Sequence, residues 1–299
     1  MSELAGHVAV VTGAGRGIGR AIALRFAEAG AAVVPVARSG GEIEETASLI
    51  RSAGGQAAAH AADVTDLAAV QLVLDFAKAT FGTPTLLVNN AGGGVPGTNG
   101  KFEKMEPEAI LQGLNLNLVA AMLATRLALP GMLEAGQGRI INVASGAGML
   151  GMPYLMPYGV SKTAIIRFSE MLALELDGRG VSVFSITPGN VLSKLTDPLW
   201  PKREKLAQNP PENFSWIFPP GHELEDKGWY PPERAAELCF FLASGKADAV
   251  SGRFFSVHYD EHQIAAQAER VEREELYALR IPTLNGLEPA ILYGERGRK

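Results

Sequence analysis

Val8-Ala9-Val10-Val11-Thr12-Gly13-Ala14-Gly15-Arg16-Gly17-Ile18-Gly19 is the stretch on which the reading of this chain turns. A short β-branched apolar run leads into four glycines at alternate positions, and helical spacing begins at Ile18. Glycine permits positive φ and lets backbone N–H groups approach a ligand closely. At the N-terminus of a helix those groups and the helix dipole favour an anion such as a pyrophosphate. A glycine-rich turn can also serve only tight strand–helix packing; its position between a first strand and a helix points to nucleotide binding.

The same rhythm continues outward from this turn. Val8–Thr12, Ala32–Ala37, Ala57–Ala61, Leu86–Asn89, Arg139–Val143 and Val181–Thr187 read as strands buried on both faces, short, apolar and bounded by Gly or Pro. Ile18–Ala29, Ile43–Ala53, Leu67–Thr80, Pro107–Glu134 and Tyr158–Asp177 carry helical spacing between them. Such alternation predicts an α/β fold, a doubly wound parallel sheet with right-handed crossovers. Helices on both faces make three layers. A helix over Pro232–Leu242 and a strand over Arg253–His258 follow.

Residues 190–230 interrupt the pattern with six prolines and all three tryptophans, Trp200, Trp216 and Trp229. A long irregular segment rich in aromatics reads as a lid. Residues 260–299 form a C-terminal extension whose charged stretch Gln263–Leu279 is predicted to be helical. The expected organisation is one domain over residues 1–259 with a lid over 190–230, followed by the extension.

Composition narrows the function. The 299 residues carry 27 Lys+Arg and 32 Asp+Glu, a net charge of −5, so no basic footprint for nucleic acid exists. A chain of this length buries about 75% of its unfolded surface and needs no disulfide or metal to fold. The single cysteine, Cys239, cannot form an intrachain disulfide and points to a cytoplasmic location. No apolar run approaches the roughly 18 residues of a membrane span, and no secretory signal is evident.

The end of the second strand reads Val36-Ala37-Arg38-Ser39. A site selective for NAD usually places an acid there for the ribose 2′-hydroxyl, but the first acid here is Glu42. Arg38, with Arg16 in the glycine turn, could hold a 2′-phosphate by charge-assisted bonds, which favours NADP(H) over NAD(H). Arg38 stacked on adenine would leave NAD in use.

Tyr158 and Lys162 stand one helical turn apart, so their side chains share a face. An ammonium there is expected to lower the phenol's pKa and make it a useful acid/base. Ser145 follows the Arg139–Val143 strand, at the carboxyl end where such sheets bind ligands, although a serine there could simply cap a turn. Gly146 and Gly148 suit a close backbone approach to a ligand.

Together Thr12-Gly13…Gly17-x-Gly19, Asp63-Val64, Asn89-Asn90-Ala91-Gly92, Ser145, Tyr158-x-x-x-Lys162 and Pro188-Gly189 resemble the short-chain dehydrogenase/reductase superfamily over residues 7 to about 257. The resemblance implies a Rossmann-like fold and hydride transfer between a nicotinamide cofactor and a carbonyl or secondary alcohol. It implies that Tyr158 is the general acid or base, that Ser145 binds the reacting oxygen, and that Lys162 binds the nicotinamide ribose. A helical asparagine would hold a water linking Lys162 to solvent. Asn115 and Asn117 compete for that role, and the distance to Leu129-Pro130 selects Asn117.

The remaining expected cofactor contacts are Gly13, Gly15, Gly17, Ile18 and Gly19 at the pyrophosphate, and Arg16, Arg38 and Ser39 at the adenosine ribose. Asp63 and Val64 would flank the adenine, and Asn90, Ala91 and Gly92 the other ribose. Pro188, Gly189, Val191 and Ser193 would complete the cofactor site, Val191 presenting backbone groups to the carboxamide and Ser193 offering a hydroxyl where the family often has threonine. The final strand lacks the family's Gly-Gly, and the extension puts transfer of its usual tetramer interface in doubt.

The expected partners are a small carbonyl or alcohol substrate and a second copy of the chain, as homodimer or homotetramer, with no nucleic acid and no membrane. No metal is expected: His258 and His262 are four apart, but no third ligand has suitable spacing. Phe214, Trp216, Phe218, Trp229 and Tyr230 in the lid point to a bulky hydrophobic substrate, or else pack the lid against the tail or a neighbouring subunit. Rival readings are an NAD-linked alcohol dehydrogenase, a 3-oxoacyl thioester reductase and a nucleotide sensor without turnover, against which the intact Ser145–Tyr158–Lys162 set weighs.

Overall fold

A computed structural model describes residues 2–191 and 229–280. Ten strands and nine α-helices alternate in it: β1 Val8–Thr12, α1 Gly17–Glu28, β2 Ala32–Ala37, α2 Gly40–Ser52, β3 Gln56–Ala57, β4 His60–Ala61, α3 Leu67–Phe81 and β5 Leu86–Asn89 come first. Then follow α4 Pro107–Leu114, α5 Ala120–Glu134, β6 Gly138–Val143, α6 Met156–Glu175, β7 Val181–Thr187, β8 Asn190–Val191 and β9 Trp229–Tyr230. The last elements are α7 Pro232–Ala243, β10 Phe254–Ser256, α8 Glu261–Ala266 and α9 Ala268–Arg273.

One all-parallel sheet runs in the order β10-β7-β6-β5-β1-β2-β3, with β4 also paired to β2. Chain order therefore runs outward in both directions from β1, and the switch between β1 and β5 opens a crevice at their carboxyl ends. This is the three-layer Rossmann-like sandwich.

Strand side chains alternate between two cores because successive Cβ atoms leave opposite faces of the pleat. Ala9, Val11, Leu86, Val88, Ile141 and Phe184 pack with Ile22 and Phe26 of α1 and Leu238 of α7. Val8, Val10, Leu87, Ile140 and Val183 pack with Val73 of α3, Ala128 and Met132 of α5, and Leu172 of α6. Burial of both faces explains why these strands read as continuous apolar runs.

The expected strand Ala57–Ala61 is two short pieces instead, β3 and β4. Its partner β2 gives the reason. Val33 accepts from Ala58 and Ala37 accepts from Ala62, but the position between them on that edge is Pro35, which has no N–H to donate. The ladder breaks opposite the proline.

Residues 107–134 form one continuous helix of 28 residues with a mean hydropathy of 1.5 over its most apolar window, long and apolar enough to cross a membrane by length and composition. This corrects the expectation that no such segment exists. Here its buried residues Ala124, Ala128 and Met132 pack on the sheet.

The predicted helix Gln263–Leu279 is two short ones, α8 and α9, broken at Gln267 (φ −110°, ψ 32°). The chain then turns through positive φ at Glu275 and Tyr277. Ile264 and Val271 nevertheless sit in the main core, and the Tyr277 carbonyl accepts from Phe254 N–H at 2.9 Å on the edge strand β10. Most of the expected lid lies outside the described residues, including Trp200, Phe214, Trp216 and Phe218; its two ends meet where β8 pairs with β9.

Candidate active site

β1 delivers the glycine turn to the crevice. Gly13 and Gly17 adopt φ of +66° and +53°, the left-handed region that glycine enters without a Cβ penalty. Gly19 is constrained by space instead: a Cβ there would lie 2.3 Å from the Gly13 carbonyl oxygen. The turn is pinned from below. Arg20 Nε donates to the Gly15 carbonyl at 3.0 Å, and the Thr46 hydroxyl to that of Ala14 at 2.9 Å. Thr12 Oγ1 donates to the Val88 carbonyl and accepts from the N–H groups of Asn90 and Ala91, both at 3.0 Å. Asn90 Nδ2 donates back to the Thr12 carbonyl at 2.8 Å.

Helix α1 begins with Arg16 in extended conformation, with no side-chain cap and no acid in its first turn. Its dipole end, at Gly17, Ile18 and Gly19, is thus open to an anion. A Cβ on Gly13 would press within 3.0 Å of Ala91 Cα. This cradle fits the pyrophosphate of a dinucleotide.

Around the adenosine end, Asp63 Oδ1 accepts from the Thr65 N–H (2.9 Å) and hydroxyl (2.7 Å). Those bonds, and then the Arg38 guanidinium, hold its carboxyl below the usual range. It remains an ionised acceptor beside Val64. Arg38 and Ser39 are exposed at the end of β2, and Arg38 forms no hydrogen bond or ion pair with the described residues. Arg16 is instead paired with Glu42 at 3.2 Å.

At the carboxyl end of β6, Ser145 meets helix α6. Its hydroxyl accepts from Ala147 N–H at 3.2 Å and so caps a turn, and it also faces the Tyr158 phenol closely enough to oppose the rise in that group's pKa. Lys162 is 5% exposed; its Nζ donates to the Val143 carbonyl at 2.8 Å and stands 5.6 Å from the centre of the Tyr158 ring. Burial lowers Lys162 to about 8, still mostly charged at neutral pH. Burial also raises the Tyr158 phenol, with the Ser145 bond pulling it back. The expected lowering by Lys162 is therefore not what this arrangement produces: desolvation of the phenolate dominates.

Gly148 does not play the part expected of it. A Cβ on Gly148 would lie 2.7 Å from the Lys162 backbone, so its close approach docks the serine turn on α6, while Gly146 has open space around it. Thr163 Oγ1 donates to the Gly148 carbonyl at 3.0 Å and fastens the contact.

The long helix changes pitch at Asn115–Val119, a π turn between α4 and α5. Asn117 in it is buried, and Asn115 is exposed. Asn117 Oδ1 accepts from Gly93 N–H (2.8 Å), and its Nδ2 donates to the carbonyls of Gly93 (2.9 Å) and Gly113 (3.0 Å). A Cβ on Gly92 would meet both Asn117 Oδ1 (2.8 Å) and Lys162 Nζ (3.4 Å), so Gly92 lets the two side chains approach one another.

Beyond β7, Gly189 takes φ +71°, and a Cβ there would strike Val257 and the Tyr230 ring. Pro188 precedes it, and Val191 is buried in β8. Ser193 lies outside the described residues. His258 and His262 do not converge: His258 Nδ1 meets the Tyr230 hydroxyl at 3.0 Å, and His262 packs edge-on against Phe241.

Sequence reasoning passed over Arg20, whose guanidinium supports the turn, and a buried polar chain under the site. In that chain Asn89 Nδ2 donates to Asn142 Oδ1 (2.8 Å), and Asn142 Nδ2 to the Ser169 hydroxyl (2.9 Å), linking β5, β6 and α6. Polar residues inside apolar runs were the available signal.

Residues 7–204 match the family described as short chain dehydrogenase. The chain is 33% identical over 265 residues to 2-(S)-hydroxypropyl-CoM dehydrogenase 3 of Xanthobacter autotrophicus, covering 86% of this chain and 96% of that one. Among solved structures, a tryptophan variant of actinorhodin polyketide ketoreductase with NADPH aligns with a TM-score of 0.74 at 29% identity, covering 84% of this chain and 95% of that one. An NAD(P)-dependent gluconate 5-dehydrogenase from Beutenbergia cavernae, with NADP at low occupancy, aligns with a TM-score of 0.73 at 35% identity, covering 88% and 98%.

Proposed function

This chain belongs to the short-chain dehydrogenase family, oxidoreductases that work between a nicotinamide dinucleotide and a carbonyl or alcohol group, and on that premise we propose that it uses NADP(H) on a bulky hydrophobic substrate. The observation that carries the catalytic part is the convergence of Ser145, Tyr158 and Lys162 at the crevice, the Lys162 Nζ held on Val143 and 5.6 Å from the centre of the Tyr158 ring, with Ser145 facing the phenol.

When bound, the nicotinamide supplies or accepts the hydride. In reduction, Tyr158 gives its hydroxyl proton to the substrate oxygen; in oxidation it takes that proton back. The Ser145 hydroxyl, already directed at Tyr158, holds the same oxygen and fixes its orientation. Lys162 spends one of its three donors on Val143, leaving the others for the nicotinamide ribose hydroxyls. Asn117 clamps the Gly93 loop against Lys162, which keeps the ammonium in place. The glycine turn holds the pyrophosphate, Asp63 the adenine amino group, and Arg38 with Arg16 the 2′-phosphate.

For the substrate, the loop between Ser145 and Tyr158 exposes Met149 and Leu150, beside Met156 at the start of α6. These apolar side chains, with the aromatics of the lid sequence, suit a hydrophobic ligand over a sugar. We also propose a homo-oligomer. Leu111, Val119 and Met122 on the long helix and Val160, Met171 and Leu174 on α6 are exposed at helical spacing, a combination that favours association.

The test is a turnover assay with NADPH or NADH against a panel containing a bicyclic ketone and a small polyol with its ketone. The reading expects NADPH with the bicyclic ketone to be the best pair. A clear preference for the polyol contradicts the substrate assignment.

A further inference from the structure

Glu42, the third residue of α2, carries the first carboxylate after β2. It reaches back to the glycine turn. Its Oε1 lies 3.2 Å from Arg16 Nη1, and its Oε2 lies 3.1 Å from the point where a Cβ on Gly15 would stand. Glu42 Cβ is 2.9 Å from that same point, so only glycine at position 15 admits the carboxylate so close to the turn. Arg38, just after β2, is exposed and makes no ion pair with the described residues. The neighbouring Arg20 is committed elsewhere, to the Gly15 carbonyl and to Glu45 at 2.8 Å.

Besides Asp63, whose carboxylate is held by Thr65, the adenosine side of the turn therefore carries two guanidiniums, Arg16 and Arg38, and the Glu42 carboxylate. The guanidiniums attract a 2′-phosphate, whereas the carboxylate repels it and can accept from a 2′-hydroxyl. We propose that Glu42 is a specificity-determining residue: by engaging Arg16 and presenting a carboxylate beside Gly15, it tempers the preference for NADP(H) and lets NAD(H) bind as well. The proposal rests on the reading that Arg16 and Arg38 hold the 2′-phosphate.

The pair is solvent-exposed, with side chains 54% and 31% accessible, and such pairs are weak. A phosphate can take Arg16 from Glu42, but the carboxylate stays tethered in the first turn of α2. Its repulsion persists in the complex. The residue thus acts on the difference between the two cofactors more than on either alone.

The probes are 2′,5′-ADP and 5′-AMP, which lack the nicotinamide, titrated by calorimetry into the wild type, Glu42→Gln and Arg38→Ala, with NADPH and NADH binding followed by fluorescence. Glu42→Gln is expected to raise the affinity ratio of 2′,5′-ADP to 5′-AMP about fivefold, the size of one exposed charge contact, with an unchanged melting temperature. The NADPH to NADH ratio should move the same way. A ratio that stays level or falls in Glu42→Gln overturns the proposal. Arg38→Ala isolates the underlying reading: a ratio unaltered there contradicts the 2′-phosphate site itself, while the Glu42→Gln comparison still decides on Glu42.

Discussion

The Lys162 ammonium donates to the carbonyl of Val143, the last residue of β6, at 2.8 Å. This bond ties helix α6 to the carboxyl end of a central strand and places a cation where the crevice opens. The cation is buried at a cost. Its pKa falls to about 8 because the folded chain desolvates it.

That cost predicts a gain in stability when Lys162 is replaced. Lowering a lysine from 10.5 to about 8 weakens the cofactor-free fold at neutral pH by about 3 kcal/mol, against which the bond to Val143 contributes about 1 kcal/mol. Lys162→Met should therefore melt several degrees higher at pH 7 and lose turnover. The sign follows from proton counts: between pH 8 and 10.5 the unfolded chain binds the proton that the folded chain has released. Wild-type stability thus gains with rising pH across that window, and the advantage of the variant disappears by its upper end. Thermal melts from pH 6 to 10.5 measure this, and a variant that melts lower throughout contradicts it.

Asn117 makes three hydrogen bonds from a buried position. Asn117→Ala strands the polar groups of Gly93 and the Gly113 carbonyl, at a cost of about 2–3 kcal/mol. The melting temperature should drop and kcat with it. Unchanged melting would show that the clamp does not hold the 92–93 loop.

Gly19 and Gly17 separate space from conformation. A Cβ at Gly19 collides with the Gly13 carbonyl, so Gly19→Ala must displace the turn and should weaken cofactor binding at least about tenfold. Gly17→Ala meets nothing within 4 Å but holds φ +53°, so its effect should be a stability loss of about 1 kcal/mol. Fluorescence titration and melts of both variants distinguish the two; equal cofactor affinity in both would refute the collision argument.

The extension is part of the core. Ile264 and Val271 are buried, and the buried Arg253 pairs with Glu272 at 2.6 Å. Ile264→Ala should cost about 2–4 kcal/mol. A variant that melts like the wild type in denaturant or heat would mean that α8 does not belong to the fold.

Much of this is legible in the sequence alone. The boundaries of β1, β2, β5 and β7 were readable because double burial writes apolar runs and Gly or Pro closes them. What escaped depends on partners distant in sequence. Pro35 splits β3 from β4 only because it faces them across β2. The π turn at Asn115–Val119 adds a residue to a single turn within residues 107–134, a change of pitch too local for apolar spacing to reveal, although it carries Asn117. Gly148 reads as a ligand contact but is a docking point on α6, since a glycine states that something is near without saying what. The charged tail reads as one helix because Gln263–Leu279 contains neither Gly nor Pro, yet it breaks at Gln267 and turns through positive φ at Glu275 and Tyr277, where it meets β10.

The central claim is that the Tyr158 hydroxyl moves the proton of the reaction, and Tyr158→Phe tests it most directly. With the preferred cofactor and ketone, kcat should fall by about 10³-fold while cofactor affinity stays within about twofold. Turnover retained within tenfold of the wild type would contradict the account.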